Sequence, residues 1–294
     1  MTTNESATEV ELPALQRAAS RSSRSAQRRY LQLTAAQLVL LAAGSLLSVP
    51  SWIRGDINVS ALFAAVAIVL AGVFRVQIRM SQPTKTWYHG RAAAESAKTL
   101  AWRYAVGGDP FPVSLTEAEA DTRFADRLTG VLVDLDNPFL EIGDEGEEIT
   151  DWMRTTRGLP LEERRAAYSE ARIAQQRSWY RDQAAWNSRR SNQLGVATLL
   201  FEAIAVIAAL LRATGLVDVN LIAFIATVTA AIVAWIHTKD YSTLANAYTV
   251  ASRELAAVSS LIRHQETEAD WSAFVNNAED SISREHTLWR ASRT

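Results

Sequence analysis

No cysteine occurs in the 294 residues, which excludes disulfide bonds, Cys-ligated metals and a thiol nucleophile. Histidine is scarce. His89, His237, His264 and His286 are scattered, and none has a second histidine at metal-binding spacing. Glycine is thin, at 12 residues. The chain has no Walker loop, no Gly-x-Gly-x-x-Gly, no Gly-x-Ser-x-Gly and no His-Glu-x-x-His. An enzyme is therefore not expected, and no catalytic, cofactor-binding or metal-binding residue is assigned. VDLDNPFLE (133–141) offers Asp134, Asp136 and Glu141 in partial likeness to a calcium loop. Pro138 stands near the position where that loop needs glycine, so the stretch reads as an acidic turn.

Excess charge is also lacking. A net charge of −2 and a mean hydropathy of −0.04 resemble those of a soluble protein. These averages conceal very apolar runs between charged flanks. The runs are LQLTAAQLVLLAAGSLLSV (31–49), SALFAAVAIVLAGVFRVQI (60–78), LGVATLLFEAIAVIAALL (194–211) and VNLIAFIATVTAAIVAWI (219–236). Each is close to the roughly 20 apolar residues that cross a hydrocarbon core about 30 Å thick. A soluble bundle helix would keep a polar stripe, and Leu38–Leu47 and Ala61–Phe74 have none. The expected fold is an all-α integral membrane protein, with four transmembrane helices in two hairpins and long cytoplasmic helical extensions.

Lys and Arg gather on one side of every hairpin. Arg28 and Arg29 precede the first span, and Arg75, Arg79, Lys85 and Arg91 end or follow the second. Arg181, Arg189 and Arg190 precede the third, and Lys239 follows the fourth. The positive-inside bias then places both termini and the middle segment in the cytoplasm of a bacterial inner membrane. Trp52 and Trp235 suit the headgroup level, and Arg75 can snorkel, so these three are interfacial anchors. Residues 1–27 read as a disordered basic lead and not as a signal peptide, because they lack an apolar core.

Each half then repeats one order of parts: basic helix, apolar hairpin, amphipathic helix. The expected divisions are a lead (1–27), a first two-span hairpin with its cytoplasmic helix (28–104), an acidic linker with short helices (105–160) and a second two-span domain with a stalk helix (161–290). The linker carries thirteen Asp or Glu against two Arg between Asp109 and Asp151, with breakers at Gly107, Gly108, Pro110 and Pro112. Ser114 is the expected N-cap of its helix. After Pro160 no Gly or Pro occurs before Gly195, so one helix of about 50 residues should run from Leu161 into the third span.

Glu202 lies about 13 Å inside the third span, where an ionisable group costs roughly 2.5–3.5 kcal/mol. Gly195, Thr198, Glu202, Ala205 and Ala209 form one small-and-polar stripe. Such a stripe lines a wet path or packs against a neighbouring helix, with Thr227 and Thr229 as hydrogen-bond partners for a protonated Glu202. Thr34, Gln37, Leu41, Gly44 and Ser48 give the first span an uncharged counterpart, and Ser60, Ala64, Ala67 and Ala71 give the second a small face. The candidate pore-lining or packing residues are Glu202, Thr198, Gly195, Ala205, Gln37 and Gly44.

The layout resembles the SLATT family of two-span membrane domains found beside nucleotide-second-messenger polymerases and their sensors, here in tandem. The residues that carry the likeness are Trp87, Arg91, Glu95, Lys98, Trp102, Arg103 and Tyr104 after the first hairpin, and TDWMRTTRGLPLEERRAAYSEARIAQQRSWYRDQAAWN (150–187) before the second. The resemblance implies an effector that oligomerises and opens or perturbs the inner membrane in a bacterial antiphage system. It implies as partners the bilayer, further copies of the chain and a cytoplasmic sensor or signalling protein, with no cofactor and no nucleic acid. A non-conducting anchor that docks a cytoplasmic partner is the alternative. A proton-coupled transporter built on Glu202 is weaker still, since no broken helix is visible.

Overall fold

A computed structural model describes residues 10–134, 146–217 and 221–291. The acidic stretch around Asp136 and Glu141 lies outside the described residues, as does Asp218. Among the described residues the chain is helical almost throughout, as its periodicity predicts, and four helical stretches there are long and apolar enough to cross a membrane. In chain order the α-helices are α1 (Ala14–Leu47), α2 (Val59–Ser81), α3 (Pro83–Val106), α4 (Glu117–Asp134), α5 (Asp151–Arg157), α6 (Leu161–Ala167), α7 (Gln175–Ala213), α8 (Ile222–Lys239), α9 (Tyr241–Leu261) and α10 (Glu268–Ala291). A π-helical stretch, Tyr168–Ala174, joins α6 to α7, so helix continues over 53 residues from Leu161 to Ala213.

The chain folds as two compact units, and it passes between them four times. One unit takes its residues from 1–26, 84–183 and 247–294; the other takes 27–83 and 184–246. All four passages fall inside helices, within α1, at the first turn of α3, and within α7 and α9.

The first unit has an aromatic core. Trp102, Tyr104, Phe111, Phe124, Tyr168, Tyr180 and Trp271 are all fully buried. Trp102 lies 5.8 Å from Tyr168, which lies 5.6 Å from Trp271 at 88°, an edge-to-face arrangement favoured by the ring quadrupoles. The Trp271 indole donates to the carbonyl of Val106 at 2.7 Å, so its buried N–H is satisfied. Residues 14–26 belong to this packing and are no loose lead. Gly90 lets α1 approach α3 closely, since a Cβ there would meet the Ala19 carbonyl at 3.1 Å. Ala19, Ala93 and Ala94 pack around this approach.

The turn after α3 is fixed from several sides. Gly107, at φ +76, ends the helix, and the Gly108 N–H reaches the Arg103 carbonyl at 2.8 Å. Arg157 donates to the carbonyls of Tyr104, Phe111 and Pro112, and Arg164 to that of Val106. The N-cap of α4 is Thr116, two residues after the expected Ser114. Thr116 and Glu119 bond each other's backbone N–H groups reciprocally, a capping box that places the first turn at Glu117.

The second unit holds the apolar stretches. Their outer faces are open: Leu62 (58 %), Val69 (65 %), Leu199 (65 %) and Leu210 (62 %) would be an aggregation hazard in water and suit lipid. Inside, α1 and α2 pack through small residues. Ser60, Ala64, Ala67 and Ala71 are the buried face of α2, and a Cβ on Gly44 would stand 3.3 Å from the Ala64 carbonyl. The link between these helices is a short β-hairpin, β1 (Ile53–Arg54) with β2 (Ile57–Asn58). Its two-residue turn opens on Gly55 at φ +64, as a II′ turn requires.

Candidate functional site

The membrane stripes meet different fates. Gly44 is buried between α1 and α2, and Gln37 is half-buried on α1. The Gly44 position is thus taken up by packing within the chain. The stripe of α7 is not. A Cβ on Gly195 would meet nothing within 4 Å, Thr198, Ala205 and Ala209 are only half-buried, and Glu202 is exposed. The Thr198 hydroxyl donates to the carbonyl of Leu194 in its own helix at 2.9 Å. Thr227 donates to Ser45 at 3.1 Å and to Ala223, and Thr229 to Ile225, so the hydroxyls considered as partners of Glu202 bond elsewhere. Among the described residues Glu202 makes no hydrogen bond and no ion pair. Trp52 (59 % exposed) sits beside the hairpin turn, Arg75 is exposed near the end of α2, and Trp235 is half-buried on α8.

The aromatic unit contains two polar features to which sequence reasoning gave no role. The first is a buried ion pair. Arg172 bonds Glu279 through Nε and Nη2, at 2.8 and 2.6 Å, and both side chains are almost wholly buried. Thr99 and Tyr168 donate to the same carboxylate, each at 2.9 Å. Burial opposes the Arg172 charge, but the adjacent carboxylate more than offsets it and raises the pKa. Burial raises the Tyr168 pKa well above its ordinary value, and Glu279 adds to the shift. Nη1 of Arg172 remains buried with no hydrogen-bond partner. Nothing local marks this pair, since 107 residues separate its members.

The second feature is a cavity of about 340 Å³ lined by Arg91, Glu95 and Lys98 of α3, Ala171 of the π-helical stretch, and Gln175, Gln176 and Trp179 of α7. Lys98 donates to the Gln176 carboxamide at 3.3 Å. Burial lowers the Lys98 pKa, and neighbouring Arg172 lowers it further against the opposing pull of Glu95 and Glu279. The i, i+4, i+7 spacing of Arg91, Glu95 and Lys98 puts them on one face of α3. The wall they would meet was not legible.

Two family models match the chain. One, SMODS and SLOG-associating 2TM effector domain 3, covers residues 13–165; the other, SMODS and SLOG-associating 2TM effector domain 1, covers 168–289. No curated protein and no solved structure matches the chain.

Proposed function

Because the chain belongs to the SLATT family, with two such domains in tandem, we propose that it is a membrane effector that acts without catalysis. Several copies assemble and open a path through a bacterial inner membrane. The observation that carries this reading is Glu202. A carboxylate in the middle of an apolar span, exposed on its own chain and without an internal partner, costs roughly 2.5–3.5 kcal/mol unless protein or water covers it. The unfilled small-residue face around it, from Gly195 to Ala209, fits the close approach of a further helix. Four spans are too few to enclose a lumen, so a second copy is the natural cover.

Ion flux into liposomes tests the reading. Glu202→Gln keeps shape and hydrogen bonding but loses the charge, so it should change cation selectivity or its pH dependence. Glu202→Leu should suppress flux further, because an apolar constriction closes by dewetting. No flux from the unaltered protein under any condition would favour the anchor. Identical flux in all three forms would keep the path and remove Glu202 from it.

The same reading places the aromatic unit and both termini in the cytoplasm, on the side of the Lys and Arg flanks. In this Cys-free chain, a cysteine replacing Asp56 in the β-hairpin should react with a membrane-impermeant reagent in intact cells. One replacing the exposed Glu163 should not. The opposite labelling would reverse the orientation.

A further inference from the structure

We propose that the two connections at the far end of the apolar unit, residues 50–58 and 214–217, dock on the bilayer itself. They are seated in the lipid headgroup layer, and only the tip of the β-hairpin stands in water. The proposal holds whether or not the protein conducts ions, and whichever side of the membrane this end faces.

Charged side chains are few at these connections: Arg54 and Asp56 in the first, and Arg212 beside the second. Large apolar ones are exposed in both. Trp52 is joined by Ile53 (63 %) and Ile57 (61 %) in the hairpin, and Leu216 (73 %) repeats the feature after α7. The amphipathic ring of Trp52 suits the headgroup level.

Both connections also close their own backbone hydrogen bonds, as immersion among lipids requires. In the hairpin Ile53 pairs with Asn58 and Arg54 with Ile57, and the Val59 N–H donates to the Trp52 carbonyl at 2.8 Å. After α7, Gly215 turns left-handed at φ +74. Its N–H reaches the Arg212 carbonyl and that of Leu216 reaches the Leu211 carbonyl, each at 3.0 Å, a Schellman motif. An apolar residue at the Leu216 position of that motif frequently folds back upon its helix. Leu216 stays open instead.

Geometry selects lipid over a protein partner. Cross-strand partners share a face and successive residues alternate, so Ile53 and Ile57 stand on opposite faces of the ribbon. A docked protein would cover one face and leave the other in water, whereas a headgroup layer surrounds both. Depth agrees. Each strand has two residues, a rise of about 7 Å, and the headgroup region beside the hydrocarbon core is about 5–8 Å deep. The ribbon therefore reaches the water side of that layer only with Gly55 and Asp56.

Single cysteines introduced into this Cys-free chain, spin-labelled and reconstituted in liposomes, test the seating. At Ile53, Ile57 and Leu216 oxygen should relax the label strongly, because it concentrates in apolar surroundings. A water-soluble nickel chelate should relax those labels several-fold less than a label at Asp56. Equal access of the chelate to all four positions would place the connections in water and overturn the proposal. Weak relaxation by both agents would mean a protein cover and overturn it as well. Because a label can carry its own site into lipid, the unlabelled chain supplies a second reading by hydroxyl-radical footprinting in nanodiscs. On the protein alone Trp52 is more open than Trp179 of the aromatic unit, at 59 % against 43 %. Lipid cover should reverse that order, with Trp52 modified several-fold more slowly than Trp179. Trp52 modified as fast as Trp179 or faster would overturn the proposal.

Discussion

Glu279 is the residue on which the aromatic unit turns. Four hydrogen bonds from Thr99, Tyr168 and Arg172 converge on its carboxylate, and no water-exposed surface remains to it. Such a pair need not stabilise relative to an apolar core, but breaking it strands a buried charge at a cost of about 3–5 kcal/mol. Glu279→Gln should therefore lower stability by about that much, read by denaturant unfolding in detergent. Joint replacement by Arg172→Met and Glu279→Leu should recover a large part of the loss. A single variant as stable as the parent would mean that the pair carries no structural weight. Residue-level legibility follows from separation in sequence. Glu202 stood out because its apolar surroundings are its immediate neighbours. Arg172 and Glu279 look like two solvated charges until α10 is folded back upon α3 and the π-helical stretch.

At the scale of elements the sequence was most readable, since helical periodicity and span length are local properties. It even gave the continuous helix from Leu161 into the third span. What escaped was geometry that depends on packing. YSEARIA (168–174) carries no breaker, yet the helix widens there, where Tyr168, Arg172 and Ile173 are buried together. The joint after each second span shows a related effect. Gln82 (φ 40) and Asp240 (φ 52) each turn left-handed and donate to the carbonyl four residues back, which repeats one joint in both halves without shared sequence. Continuity of α7 invites a direct test. Ala184→Pro removes an intrahelical hydrogen bond and costs about 3 kcal/mol or more. Flux should fall while membrane insertion, set by the apolar spans, persists. Flux at the parental level would mean that an unbroken helix is not needed for activity.

Over the whole molecule, the two tandem family domains and the two structural units do not coincide. Each family domain gives residues to both units, because the chain crosses between them four times. Within the aromatic unit the halves share one core. Trp102 of the first half packs on Tyr168 of the second, Trp271 bonds the Val106 carbonyl, Arg103 pairs with Asp280 at 2.6 Å, and Arg164 pairs with Glu268. In the apolar unit Thr227 bonds Ser45 across the halves. Separating the halves would uncover Trp102, Trp271 and Tyr168, each fully buried and worth up to roughly 3 kcal/mol. It would also break the bonds from Thr99 to Glu279 and from Arg164 to Glu268. Together these losses rival the 5–15 kcal/mol typical of a whole domain. Residues 1–166 and 167–294 expressed apart should therefore insert into membranes yet lack protease resistance and near-ultraviolet dichroism. Expressed together, they should regain both by rebuilding the shared core. If either half alone resists protease with ordered aromatic signals, the tandem domains fold independently and the shared core is dispensable.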